Sequence, residues 1–350
     1  MALKPHPFIK KLLNSPPEWL TYSSMIKSCQ CRFLRNLAGF NFPQKQDAES
    51  HTQILNSVHA AATALWGEGI VFIRLEELSK LELGLLIESE ILPEGAESEP
   101  AGKGLIIAGD YRWWIVLNHE NHLGISAALA GLALPDAFAT INRIDDDLSE
   151  RMDFAFDQRL GFLTSSPANV GTGFNATLDI ELPALIILKQ IHRVFNGIGT
   201  LGLTIVNKSG KPMPIASSNL KISNQTSLGV AEEDLLDRMG TVAEALEYHE
   251  SNAREVLRKE AQIQLADKVD RARGILLSAR LLGTHEAQSM LAALRLGVEM
   301  GLSDFPDQGT IQSLMLRVQP ARLQLEYGAE LGHTDREAYR ADLVRNSLTY

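Results

Sequence analysis

Residues 163–179 gather the groups best suited to bind an anion. Thr164, Ser165, Ser166 and Asn169 place hydroxyls and an amide beside Pro167, and Gly171 and Gly173 let the backbone turn tightly and approach a ligand with its N–H groups. A plain turn uses the same residue types for conformational reasons alone, so both readings stand. A second cluster, Asn118-His119-Glu120-Asn121-His122, follows a strand-like run. Its histidines and carboxylate invite a metal reading, but the spacing is not His-Glu-x-x-His and a strand end does not point all three the same way. No metal is expected there. Near the end, Arg336 and Arg340 are four residues apart and share one helix face. Two guanidinium groups suit a phosphate, while Thr334-x-x-Glu337 reads equally as a capping box.

The elements that must position these groups follow from hydrophobic period. Residues 1–22, with Pro5, Pro7, Pro16 and Pro17, read as an irregular arm with one short helix. Alternation over 23–37 gives a strand, and Ala and Leu at helical spacing over 51–66 give an amphipathic helix. A hairpin is predicted from the runs 105–108 and 113–117, split by Gly109-Asp110-Tyr111-Arg112. A long helix is predicted over 135–160, with Asp145-Asp146-Asp147 on its solvated side. Strands follow at 174–182, 201–206 and 220–223. From Glu232 almost every segment is helical in pattern, with Val256, Ile263, Val269 and Ile275 among the apolar positions. Strands mixed with long helices favour an α+β fold built on a largely antiparallel sheet. The division expected is an arm at 1–22, a catalytic-type domain at 23–231 and a helical domain at 232–350.

Composition narrows the function classes. With 350 residues and 45% apolar content the chain can bury a sizeable core. A net charge of -10 argues against nucleic-acid and anionic-membrane partners, which require a basic face. No apolar run approaches the ~18 residues that span a bilayer, and the start shows no export signal, so a soluble, cytoplasmic protein is expected. Cys29 and Cys31 are too few for a structural zinc site and too close for an ordinary disulfide. They read as reduced packing residues.

Several segments, in order, carry a family resemblance. These are Arg32-x-x-Arg35-Asn36-Leu37-Ala38-Gly39-Phe40, then Phe154-Ala155-Phe156-Asp157-x-Arg159-Leu160-Gly161-Phe162-Leu163-Thr164-Ser165, and Pro167-x-Asn169-Val170-Gly171-Thr172-Gly173. Leu182-Pro183-Ala184-Leu185, Ile222-Ser223-Asn224-Gln225-Thr226-x-Leu228-Gly229 and Arg295-Leu296-Gly297 complete the set. With these segments, nearly the whole chain resembles the bacterial ATP:guanido phosphotransferases, specifically the protein-arginine kinases, which share a catalytic fold with creatine and arginine kinases. The resemblance implies ATP and Mg2+ as cofactors and transfer of a phosphoryl group to protein arginine. Arginines cage the phosphates, so positioning and charge neutralisation carry the rate.

Position by position the match is uneven. The resemblance assigns ATP contacts to Arg32, Asn118, His122, Ser165, Asn169, Gly171, Thr172 and Gly173, and the reacting carboxylate to Glu120. Three arginines of the pattern are absent. Gln30 stands in the Ser-x-Arg-x-Arg motif, Gly124 ends the Asn-Glu-Glu-Asp-His-x-Arg motif, and Asn175 replaces the arginine of Gly-x-Arg-Ala. A further cationic loop reads Val-Asn-Lys-Ser-Gly-Lys-Pro over 206–212, where Lys208 or Lys211 could replace one charge but not the bidentate fork. The family's phosphoarginine motif, Arg-Asp-x-x-Arg-Ala, is met by Arg336 and Arg340, with Glu337 in place of its Asp. The reading that results is a pseudokinase with a phosphoarginine-binding or assembly role in protein quality control. Its implied partners are phosphoarginine, a related active kinase or a Clp-type protease system, and a homo-oligomer is expected. The alternative is an active protein-arginine kinase with a remodelled phosphate site.

Overall fold

The computed structural model describes residues 3–22, 24–206, 219–302 and 306–349. In chain order it contains α1 (Pro7–Asn14), α2 (Glu18–Thr21), β1 (Ile26–Arg35), α3 (Ala48–Trp66), β2 (Ile70–Arg74), α4 (Lys80–Glu88), β3 (Gly104–Ala108), β4 (Trp113–Leu117) and β5 (Leu123–Ala130). Next come α5 (Leu134–Ser149), β6 (Phe156–Asp157), β7 (Gly161–Phe162), β8 (Phe174–Glu181), α6 (Pro183–Ile187), α7 (Ile191–Thr200), β9 (Leu203–Val206) and β10 (Asn219–Asn224). The chain closes with α8 (Glu232–Glu260), α9 (Gln262–Ser278), α10 (Thr284–Glu299), α11 (Gln308–Arg317), α12 (Pro320–Tyr327) and α13 (His333–Thr349). Eight strands form one antiparallel sheet in the order β2-β3-β4-β5-β1-β8-β10-β9. This is an α+β fold built on an antiparallel sheet flanked by helices, with a helical C-terminal region.

Alternation along the strands makes the two faces unlike each other. One face is apolar apart from Arg35 at the end of β1: Cys29, Cys31 and Phe33 of β1, Ile125 and Ala127 of β5, and Ala176 and Leu178 of β8 pack under α3, α5 and α8. Burial pushes the Cys29 thiol up to about 11, so these cysteines act as packing groups. The other face is divided. Over β2–β4 it is apolar and covered by α1, α2, α4 and α12, with Trp19 stacked on Trp114 at 5.6 Å. Over β1, β8 and β10 it is polar, and this half carries the candidate site.

The fold revises four readings. The N-terminal segment is not an irregular arm: α1 and α2 bury Phe8, Ile9, Leu12, Trp19 and Leu20 in a core shared with the sheet. Helix α5 stops at Ser149 because the following backbone pairs elsewhere, with Ala38 N–H donating to Asp153 O and Ala155 N–H to Asn36 O. Although the change in composition groups it with the helical end, α8 sends Leu235, Met239, Val242 and Leu246 into the core of the sheet. Ile263 is 83% exposed, and α9 instead buries Leu265, Val269, Ala272 and Leu276.

Charge holds the helical region to the polar half of the sheet. Glu181 of β8 pairs with Lys27 at 2.5 Å and with Arg295 of α10, and Gln312 Nε2 of α11 donates to Leu20 O at 2.8 Å. Glu88 closes the N-terminus of α12 through Ala321 N–H and Arg322 N–H. Burial raises its pKa to about 7. Among the described residues no helix is long and apolar enough to cross a membrane.

Candidate functional site

The centre of the polar half is set by strand register. Arg32 stands opposite Ser126 of β5 and Asn175 of β8, Gln30 stands opposite Ala128 and Thr177, and Gly124 stands opposite Leu34. Opposed residues share a face and alternate residues repeat it, so Gln30, Arg32, Gly124 and Asn175 lie together on one surface. Arg32 Nε donates to Ser126 Oγ at 3.0 Å. Burial lowers the pKa of this guanidinium, and the nearby Glu120 opposes the shift. Gln30 Nε2 is buried and has no hydrogen-bond partner among the described residues. Asn175 Nδ2 donates to Asn169 Oδ1 at 3.2 Å, tying β8 to the loop before it. A Cβ on Gly124 would meet only ordinary contacts, Val116 O at 3.8 Å and Leu34 Cδ2 at 3.9 Å.

The glycines of that loop are required by its path. Gly171 has φ +115° and Gly173 has φ +65°, where side chains are strained. A Cβ at Gly173 would lie 2.7 Å from Leu34 O and 2.8 Å from Arg35 Nη1; at Gly171 it would lie 2.9 Å from Leu228 Cα. Arg35 clamps the loop from below. Its Nη1 donates to Thr172 O at 2.8 Å, its Nε and Nη2 bind Asp145, and its guanidinium lies 3.6 Å from the Phe162 ring centroid. Asp145 is therefore a buried partner and not part of a solvated acidic run. Arg35 alternates onto the apolar face beside Phe33, and a charge in such a place demands a counter-ion; that was the available signal. At the other end of the loop, Ser165 N–H donates to Asn121 Oδ1 at 2.9 Å, and Asn36 Nδ2 bridges Asn121 Oδ1 and Leu163 O.

The segment after β4 divides its side chains between frame and surface. Asn118, at φ +55°, donates from Nδ2 to His51 O and Gly102 O at 3.0 and 2.9 Å. His122 is fully buried; its Nδ1 accepts from Leu37 N–H at 2.9 Å and its Nε2 lies 2.9 Å from Asn41 O. Burial drops its pKa to about 4. The imidazole is thus neutral and protonated on Nε2, with neither nitrogen left for a metal. Asn118 and His122, two of the residues assigned to ATP by resemblance, are thus committed to holding neighbouring backbone. Glu120 is exposed. His119 is half-buried, and burial together with Lys103 and Arg32 lowers its pKa against the pull of Glu120. Among the described residues no group of His, Cys, Asp and Glu is arranged to hold a metal. Lys208 and Lys211 lie outside the described residues.

Helix α13 places the second candidate site. Arg340 is buried, with Nε donating to Val318 O and Nη1 to Leu282 O, each at 2.8 Å. It joins α13 to the end of α11 and to the turn after α9. Arg336 and Glu337 are half-buried on the adjoining surface, and Arg336 adds to burial in lowering the pKa of Arg340. The helix begins at His333, with Arg336 N–H donating to Gly332 O, so Thr334 does not serve as N-cap and the capping box does not form.

Comparison with known proteins gives consistent matches. Residues 53–253 match the model of the ATP:guanido phosphotransferase C-terminal catalytic domain, and residues 262–350 match the protein-arginine kinase McsB C-terminal domain. The chain is 33% identical over 332 residues to the protein-arginine kinase of Symbiobacterium thermophilum, covering 94% of each chain. It is 34% identical over 347 residues to that of Desulforamulus reducens, covering 98% of this chain and 96% of the relative. Among solved structures, a lombricine kinase aligns with TM-score 0.56 and 19% identity over 68% of this chain and 72% of its own. The duplicated taurocyamine kinase of Schistosoma mansoni, with bound transition-state analogue components, aligns with TM-score 0.59 and 22% identity over 82% of this chain and 41% of its own. At those identities the structural likeness speaks for the fold alone.

Proposed function

The chain belongs to the protein-arginine kinase family, with an ATP:guanido phosphotransferase catalytic domain, and from that premise we propose that it is a pseudokinase, a non-catalytic member that binds phosphoarginine or assembles with a partner. One observation carries the reading: of the four positions that share the surface around the loop, Arg32 alone is cationic, and Gln30, Gly124 and Asn175 are neutral. In the family, ATP and Mg2+ supply the phosphoryl group and its charge compensation. The residues here fit that group poorly. Removing one preorganised donor costs about 10²- to 10³-fold, and an arginine aimed at a transferring phosphoryl group is worth about 10³ to 10⁵. Three absences, even when strongly non-additive, take a turnover of order 1–100 per second to a negligible rate.

What the chain retains is a scaffold and an arginine pair. Arg32 is oriented by Ser126, the loop is braced by Arg35, and Glu120 remains at the surface as a carboxylate able to meet a guanidinium. On α13, Arg336 stands beside Arg340, and two adjacent guanidinium groups repel until an anion joins them. Phosphoarginine supplies such an anion, and in this reading Glu337 meets its guanidinium. Protein-bound phosphoarginine, a related active kinase and a Clp-type protease system are the partners this reading implies.

The second reading is an active protein-arginine kinase, favoured by the exposed Glu120 beside Arg32. Incubation with labelled ATP, magnesium and an arginine-rich unfolded protein separates the two. The pseudokinase reading expects no acid-labile label on arginine beyond background. Label accumulating over multiple turnovers would establish the kinase instead.

A further inference from the structure

Three large apolar side chains stand in solvent next to the glycine loop: Phe156 is 58% exposed, Leu160 48% and Leu228 52%. The fold brings them to one place. Phe162 N–H donates to Gly171 O at 2.8 Å, joining the β6–β7 hairpin to the loop, and Gly171 in turn lies against Ser227 and Leu228. The Phe156 ring rests edge-on against Phe162 at 5.2 Å. The display is built rather than loose. Asp157 Oδ1 accepts from Arg159 N–H at 2.8 Å and Leu160 N–H at 3.0 Å, so the turn that carries Leu160 is held. None of the three side chains belongs to a buried core.

The charges around this patch are predominantly acidic. Asp153 and Asp157 flank Phe156, Glu233 and Asp234 follow Leu228 at the start of α8, and all four are exposed. Glu120 is exposed next to Asn121, whose amide oxygen receives the Ser165 N–H at the start of the same loop. Arg159 at the hairpin tip and Arg151, two residues before Asp153, are exposed cations beside them. An apolar surface with an acidic rim, on a chain of net charge -10, complements a polypeptide that offers apolar and cationic side chains together. A folded protein rarely exposes both along one strand; an unfolded one does.

We propose that the β6–β7 hairpin and Leu228 form a docking surface for unfolded, arginine-bearing polypeptide segments, holding them beside the loop. The choice of arginine rests on the function proposed above; the apolar contact does not. Phe156, Leu160 and Leu228 take the apolar side chains, and Asp153, Asp157, Glu233 and Asp234 face the guanidinium groups.

The test is fluorescence anisotropy with a labelled 16-residue peptide of alternating Leu and Arg, using the full chain without ATP. Saturable binding is expected, weakened by added salt and by replacing the peptide's leucines with serine. The double variant Phe156→Ser/Leu160→Ser should weaken binding about ten- to a hundredfold, as should Leu228→Ser to a smaller degree, with unchanged circular dichroism. Equal binding by both variants and the native chain would overturn the surface, as would no binding by the native chain. A dimer dissolved by the same substitutions, in a chain that ignores the peptide, would assign the patch to self-association and overturn the proposal. Because the assay needs neither nucleotide nor phosphate, it is separable from the function above. Lost phosphoarginine binding with intact peptide binding counts against that function alone, and the reverse result counts against the docking surface alone.

Discussion

At the loop of Gly171 and Gly173 the backbone turns of the proposed phosphate site are formed, while Gln30, Gly124 and Asn175 leave Arg32 as the one cation among the four positions that share its surface; on α13 both arginines are present, and Arg340 spends two donor nitrogens on carbonyls of neighbouring segments. In the pseudokinase reading the first region has kept geometry and lost charge. The second has kept charge by giving it structural work. A buried arginine bonded to two carbonyls is expensive to remove, because each carbonyl is then left unpaired, whereas Arg32 on the polar sheet face donates to the hydroxyl of Ser126.

Substitutions that separate shape from charge sharpen this contrast. The largest effect is expected from Gly173→Ala, which forces a Cβ against Leu34 O and Arg35 Nη1 at a left-handed φ and should cost about 3–4 kcal/mol in denaturant unfolding. Arg340→Ala should cost about 3 kcal/mol by the same measurement, with Arg340→Lys recovering part. Arg336→Ala should leave stability within about 0.5 kcal/mol and abolish phosphoarginine binding in calorimetry. A stable Arg340→Ala protein would break the distinction between the two regions.

His122 gives a pH signature of the frame behind the loop. The unfolded chain takes up a proton on this imidazole near 6.5 and the folded chain only near 4, so the unfolded state binds more protons between those values and stability falls as pH drops through them. The loss should approach about 3 kcal/mol, read as a decline in melting temperature from pH 7 to pH 4 that flattens in His122→Gln. A smaller effect of opposite sign is expected from Gly240→Ala. No atom lies within 4 Å of the added Cβ in the middle of α8, and the change should stabilise by about 0.5–1 kcal/mol.

Much of the sheet was legible because alternation and hairpin turns are local signals: β3 and β4, with Leu105 opposite Val116, follow directly from the two apolar runs around Gly109 and Asp110. The glycine loop was legible as a backbone feature. What stayed hidden depended on partners distant in sequence. Helices α1 and α2 look like an arm until Trp19 meets Trp114, and Asp145 looks solvated until Arg35 reaches it across 110 positions. His122 and Arg340 carry types suited to chemistry, and only their neighbours reveal that backbone groups already occupy them. The exposure of Ile263 was hidden for the same reason, since periodicity marks a stripe but not which stripe finds a cover.

A pseudokinase of this kind has no hold on nucleotide at the loop's surface, because Gln30, Gly124 and Asn175 stand where arginines would. The most direct measurement is a calorimetric titration of ATP with magnesium into the native chain and into the Gln30→Arg/Gly124→Arg/Asn175→Arg variant. Native protein should give no saturable heat into the millimolar range, and the variant should bind. Micromolar binding by the native chain, or a variant no better than native, would contradict the assignment of these positions to a phosphate site.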